Sequence, residues 1–281
     1  MTSIDEYLAR ASHLVPAPHV LPRLIPLLND PQANTTKIVE LISYDASLTG
    51  NVLRLCNSAY YTRGAPMDSV LQAVTRLGSR EVYRIVVAVT GAASLSTQTK
   101  GYSIESTGLW THSVATALLA QAIAEDVGED GDVAFTAGLL HDVGKIVLSP
   151  PLENVSKEFA AETATVPSVV FAEQKLLGCD HAQVGGRLME RWKLPDKLAA
   201  AVGNHHDPTA PGHHQHLAAC VCLANALAYF MGHGFGHHTL SLSGRDQASA
   251  ILNVSMDRLP KYVDQCFEKL RAVKGLYNLK V

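Results

Sequence analysis

Five apolar segments of this chain each carry one or two ligand-type polar side chains. His112 lies inside WTHSVATALLA, His141 and Asp142 close the run AGLLHD, and His181 opens HAQVGGRLMERW. His205 and His206 follow LPDKLAAAVGN, and Asn225 interrupts CVCLANALAYF. Apolar residues in these segments recur at three- and four-residue spacing, the period of a helix packed on a core. Burying such polar groups is costly unless they are paired or coordinated. A fold that brings the five segments to one shared centre satisfies all of them together.

The rest of the chain fits the same class. Long alternating β-type runs are scarce, and no Gly-rich phosphate loop or internal repeat occurs. The spacing predicts helices at Leu21 to Leu28 (with Pro26 as an interruption), Thr35 to Ser43 and Leu48 to Ser58. Further ones are expected at Ser69 to Leu77, ended by Gly78, and from Ser79 as a cap through Val89. The polar stretch Ser96 to Ser106 reads as a subdomain boundary. Beyond it, helices are predicted near Leu109–Glu125, Asp132–His141, Ser168–Leu177, His181–Trp192, Pro195–His205, Leu217–Met231 and Leu259–Val273. The expectation is an all-α protein of one large domain or two intimate ones. Residues 1–100 would form an N-terminal helical subdomain and 101–281 a helical core with C-terminal helices, with one integrated unit over roughly 12–230.

Charge narrows the function. Lys+Arg total 23 against 26 Asp+Glu, and no basic arm or patch is present, so a phosphate-driven nucleic-acid partner is not expected. Arg76, Arg80 and Arg84 read as a solvated helix face. The five cysteines are scattered and odd in number, which reads as buried free thiols in a reducing compartment. The N-terminus lacks an apolar signal core, and Leu217 to Met231 is short for a bilayer span and carries Asn225. A cytoplasmic protein with no membrane partner is therefore expected. His213, His214, His216, His233, His237 and His238 read as exposed loop residues.

Imidazole and carboxylate together suit Fe, Mn, Ni or Zn. An adjacent His–Asp pair lets one short segment supply two ligands, and the carboxylate can bridge two ions that activate water and neutralise a phosphate oxyanion. A single His inside an apolar helix, such as His112, is as readily a hydrogen-bonded core residue. The ordered set His112, His141–Asp142, His181, His205–His206 carries the stronger argument. Asn57 and Ser58 read as helix buttresses, Trp192 and Pro195 as a helix end with a packed aromatic corner, and Trp110 as core.

The stretches WTHSVATALLA, AGLLHDVGKIVL, LGCDHAQVGGRLMERWKLP and GNHH resemble the HD superfamily of metal-dependent phosphohydrolases. More closely, with VLPRLIPLLNDP, ISYDASLTGNVLRLCNSAYY and VLQAVTRLGSREVYRIVV in the first third, they resemble the HDOD domain, the HD-related output domain of bacterial signalling proteins. Asp45-Ala46 departs from the Asp-Pro usual there. The resemblance implies an HD-like helical bundle with an added N-terminal helical subdomain. It implies His112, His141 and Asp142 as ligands of a first divalent metal. Asn225 stands where a further Asp ligand is expected. His181, His205 and His206 resemble the additional histidines of HD-GYP cyclic-dinucleotide phosphodiesterases, whose GYP signature is absent. Lys145 sits where related enzymes place a phosphate-contacting lysine, so Asp142 and Lys145 are the catalytic candidates if the site is active. Glu173 reads either as a carboxylate behind the ligands or at a second metal, or as a helix-surface residue.

The resemblance implies a regulatory signalling module with a protein partner, one or two transition-metal ions and a possible nucleotide or cyclic-dinucleotide ligand. The alternative is a metal-dependent phosphohydrolase acting on nucleotides or cyclic dinucleotides.

Overall fold

The computed structural model describes residues 2–11, 20–29, 35–43, 46–58, 60–61, 65–95, 98–105, 107–165, 168–210, 212–234 and 244–276. Asp45, Ser96, Ser106, His237 and His238 lie outside these. Among the described residues the elements are helical, and the one β-type feature is an isolated bridge between Thr99 and Ile104. The expected all-α class holds.

In chain order the helices are α1 (Ile4–Arg10), α2 (Leu21–Asn29), α3 (Thr35–Ser43), α4 (Ala46–Cys56), α5 (Val70–Leu77), α6 (Ser79–Leu95), α7 (Gly108–Val127), α8 (Gly131–Leu140), α9 (Gly144–Glu153), α10 (Ser156–Thr165), α11 (Val169–Leu177), α12 (His181–Arg191), α13 (Asp196–Gly203), α14 (Gln215–Ala228), α15 (Arg245–Leu252) and α16 (Leu259–Leu276). Short 3-10 turns at Lys100–Tyr102 and Met256–Arg258 and a π-helical turn at Tyr229–His233 connect them. Four of these helices escape the pattern reading. α1 is short and set by a Ser3–Glu6 capping box. α9 opens on Gly144 and contains Pro150 and Pro151, both of which read as breakers. α10 and α15 are mostly polar, with two buried residues each. Ser79, expected as a cap, is the first helical residue of α6, which extends to Leu95, and Ser69, expected as the first helical residue, caps α5 instead.

The core is built around α7, α8 and α14. α7 packs along α8, α14 and α16, and α13 closes on α12 and α14. Nearly every side chain of α8 and of Leu217–Ala228 in α14 is buried, so these helices are apolar all round, as central helices must be. With the π-turn, α14 makes a 19-residue stretch over Gln215–His233 that is long and apolar enough by length and composition to cross a bilayer, longer than the sequence suggested. Its burial among other helices makes it a core helix.

The N-terminal helices are joined to this core. α6 packs on α7 and α8, and α4 touches α16. Of the arginine cluster, Arg76 and Arg80 are exposed, as a solvated face requires, and Arg84 is not. Arg84 is only 16% exposed and binds Asp132 at 2.8 Å, Glu81 at 2.8 Å and Glu125 at 3.3 Å, and Arg80 reaches Asp132 at 3.2 Å. Arg76 donates to the Ala65 carbonyl at 2.6 Å. Asn57 holds both polar backbone atoms of Met67, at 2.8 and 2.6 Å, as a buttress. All five cysteines are buried and none is in a disulfide, and burial pushes the thiols of Cys56, Cys220 and Cys222 up to about 12.

Candidate metal centre

Three short turns and two helices deliver the polar set to one buried point. α8 ends at His141, and the chain turns through Asp142 and Val143 into α9, whose first residues are Gly144 and Lys145. α12 starts at His181 behind an Asp180–Gln183 capping box. His205 and His206 sit in the turn after α13, and His112 lies in the second turn of α7. His112, His141, Asp142, His181 and His205 are all 0% exposed.

The glycine at 144 is required by close approach. A Cβ there would stand 2.0 Å from the His181 carbonyl oxygen and 3.0 Å from the Gly185 amide nitrogen. No other residue lets the Asp142 turn come this near to α12.

Asp142 is the hub. Its Oδ2 lies 2.6 Å from Lys145 Nζ, 3.4 Å from His141 Nε2 and 3.7 Å from His112 Nε2. Its Oδ1 lies 3.2 Å from His181 Nε2 and 3.9 Å from His205 Nε2. The far side of each ring faces an acceptor. Nδ1 of His112 meets the His233 carbonyl at 2.9 Å, that of His141 the Gly138 carbonyl at 2.7 Å, and that of His205 the Val202 carbonyl at 2.7 Å. His181 Nδ1 meets both Glu173 oxygens, at 2.7 and 2.9 Å. A carbonyl accepts only, so Nδ1 of His112, His141 and His205 carries the hydrogen and their Nε2 atoms present lone pairs to the centre. Lone pairs aimed at a carboxylate repel unless a cation or proton lies between them. The Nε2 atoms of His141 and His205 and Oδ1 of Asp142 are buried without an aligned hydrogen bond. The donor set therefore fits a divalent ion: histidines held by their outer nitrogens around a carboxylate are how proteins build such sites.

The ligand atoms fall into two triads, His112–His141–Asp142 and His181–His205–His206, each with its atoms within 4.8 Å of one another. Both could hold a metal ion. The electrostatics fit this demand for positive charge. Burial disfavours the ionised carboxyl of Asp142, yet His141 and Lys145 hold it well below the usual range. Burial and the neighbouring His141 lower His112 to about 3, and burial with neighbouring histidines holds His205 and His206 well below their ordinary value. His181 goes the other way. Burial alone would lower it, but Glu173 and Asp142 outweigh that and raise it to about 9. His206 Nε2 lies 2.9 Å from His181 Nε2, so a proton on His181 is shared between them.

The structure thus brings together His112, His141, Asp142, Lys145, His181, His205, His206 and Glu173. Glu173 is fully buried, which removes the helix-surface reading. Asn225 is buried on α14 with Oδ1 lacking a hydrogen-bond partner, and it makes no ion pair or hydrogen bond with the set. The sequence reading passed over three further groups. Tyr102 donates to Glu173 Oε1 at 2.5 Å. The ring of Tyr229 stands 4.8 Å from that of His112. The His233 carbonyl enters through the π-turn, a rare geometry often found at functional sites. Tyr102 lies in the polar stretch that reads as a boundary; Thr99, Gly101, Tyr102 and Ile104 of it are buried, and the turn Lys100–Tyr102 packs on α9.

An all-helical bundle around a buried histidine–aspartate centre is the architecture of HD-type proteins. The HDOD domain family model matches residues 14–208, and the chain belongs to that family. An uncharacterised protein of Treponema pallidum is 29% identical over 210 residues, covering 73% of this chain and 40% of its own length, so this chain spans less than half of that relative. Ribonuclease Y of Rhodopirellula baltica is 34% identical over 96 residues, 34% of this chain and 13% of that protein. Among solved structures, a candidate phosphohydrolase of Shewanella amazonensis superposes with a TM-score of 0.74 at 22% identity, covering 98% of both chains. An HDOD domain protein of unknown function from Geobacter sulfurreducens gives 0.68 at 25% identity, over 94% of this chain and 97% of its own. A candidate signal transduction protein of Marinobacter aquaeolei gives 0.72 at 22% identity, over 97% and 61%.

Proposed function

We propose that this protein is a cytoplasmic bacterial signalling module that holds one or two divalent transition ions and passes a signal to a protein partner without turning over a substrate. The observation that carries this reading is the state of Asp142. The carboxylate best placed to bridge two ions is fully buried, and the Lys145 ammonium sits 2.6 Å from its Oδ2. A phosphate-contacting lysine would have to leave that pairing to meet a substrate. The neutral Asn225 where a further Asp is expected adds to this. Ions would be held by His112, His141 and Asp142 on one side and by His181, His205 and His206 on the other, with Glu173 orienting His181. A bound ion there supplies Lewis-acid polarisation of water or a phosphoryl oxygen. In this reading its main effect is to stabilise the native state, since it binds that state alone. No nucleic acid or membrane enters this reading. A nucleotide or cyclic dinucleotide would act as a ligand.

A second reading, a metal-dependent phosphohydrolase, is favoured by the two ligand triads at the centre and by the names of the Shewanella and ribonuclease Y relatives. The two separate on metal analysis of protein purified without added metal, paired with hydrolysis assays on nucleotides and cyclic dinucleotides. Bound metal without turnover is expected. Turnover that disappears in Asp142→Ala would replace the first reading with the second.

A further inference from the structure

The segment joining α6 to α7 delivers a phenol to the back of the metal centre. Glu173 is fully buried and receives three donors: Tyr102 Oη at 2.5 Å on Oε1, the His181 backbone N–H at 2.9 Å on Oε2, and the His181 ring at 2.7 Å on Oε2. His181 gives Oε2 two contacts, at 2.9 and 2.7 Å, but gives Oε1 only the longer arm of its shared ring N–H, at 2.9 Å. The phenol pins it, and with it the plane of the imidazole.

Tyr102 is itself held by a tightly built seat. The backbone of Thr99 and Ile104 closes the segment with hydrogen bonds of 3.1 and 3.2 Å. Ser103 takes a left-handed conformation at φ 55°, uncommon for a residue with a Cβ. The Gly101 N–H donates to Ser149 Oγ at 3.0 Å, and a Cβ on Gly101 would stand 2.2 Å from the Ser149 carbonyl oxygen. The Tyr102 ring meets Phe159 edge-on at 5.7 Å. Ser149 belongs to α9, the helix that begins two residues after Asp142, so the seat and the hub share one rigid element.

We propose that Tyr102 is a positioning residue for the metal centre, fixing Glu173 against His181 so that ion affinity depends on the seating of segment 98–105. This rests on the reading that the centre holds an ion. The dependence is reciprocal: an ion that needs His181 in this orientation also holds the segment down. A displacement of the N-terminal helices that lifts the segment therefore loosens the ion.

The test uses the full chain, stripped of metal and titrated with Mn2+ against a competing chelator. Tyr102→Phe keeps the ring and removes one hydroxyl. It is expected to bind Mn2+ about 10–100-fold more weakly, the usual loss on removing a group behind the ligands. In the wild type, Mn2+ is expected to slow amide exchange in 98–105. Glu173→Gln is expected to weaken binding at least as much, with no further loss in the double variant. Unchanged affinity in Tyr102→Phe, even with a lower melting temperature, overturns the inference, as do additive losses. A wild type that binds no Mn2+ removes the underlying reading as well. If Tyr102→Phe does not fold, Mn2+ that leaves exchange in 98–105 of the wild type unchanged is the overturning result.

Discussion

Replacing Gly144 by alanine is the sharpest single perturbation of this centre. The added Cβ would lie 2.0 Å from the His181 carbonyl oxygen, an obstacle made of backbone that cannot rotate away. Ordinary contact begins at 3.4 Å, so α9 and α12 must separate by about 1.4 Å, and overpacking of this kind costs about 1–3 kcal/mol. For a chain of this size that is a fall in Tm of about 2–12 °C. The same separation acts on the 3.2 Å approach of His181 Nε2 to Asp142 Oδ1. Disturbing the orientation of a ligand in this way is expected to weaken Mn2+ binding by about 10–100-fold. The measurement is a thermal melt with and without Mn2+, together with a chelator competition. Gly50→Ala is the control. It lies inside α4 with nothing within 4 Å of its added Cβ, and should stabilise by about 0.4–1 kcal/mol. A Gly144→Ala protein with the wild-type Tm and wild-type Mn2+ affinity would show that the close approach does not set the site.

Other perturbations report on neighbouring parts. In chelator, stability should peak near pH 6.5. His112, depressed to about 3, contributes stability that is full above 6.5 and is lost as pH falls toward 3, at about 1.4 kcal/mol per unit. His181, raised to about 9, contributes stability that is full below 6.5 and is lost as pH rises through 9. Urea midpoints from pH 5 to 9 check this, and a profile still rising at pH 9 contradicts it. Arg84→Met should destabilise by up to about 3 kcal/mol, because it leaves the largely buried Asp132 only the exposed Arg80 as a charged partner, and adding Asp132→Asn should recover much of that. Denaturant unfolding of the two variants measures the recovery, and equal losses in both would show that the pairing is inert.

Much of this centre is readable from the residues because each ligand interrupts an apolar helical pattern. His112 is conspicuous in WTHSVATALLA for that reason, and the turn residues His141, Asp142, His205 and His206 sit where helices end. What the pattern could not supply is tertiary. Tyr102 lies in a polar stretch whose burial depends on α9 packing over it. The His233 carbonyl is a backbone atom aimed by a π-turn, which leaves no trace in side-chain chemistry. α9 was invisible because its proline pair lies late in a buried helix whose first turns are held from outside. Arg84 looked solvated because its three carboxylate partners are 3, 41 and 48 residues away in sequence.

The five buried thiols turn the protein into its own recorder of opening. Cys56 sits on α4, Cys179 just before α12, Cys220 and Cys222 on α14, and Cys266 on α16. The folded chain shields each from reagents, and its raised thiols have almost no thiolate near neutrality. An alkylating agent added under native conditions therefore marks a helix when that helix has come away. The order in which the five acquire label is the order in which the bundle lets go, read without any engineered probe.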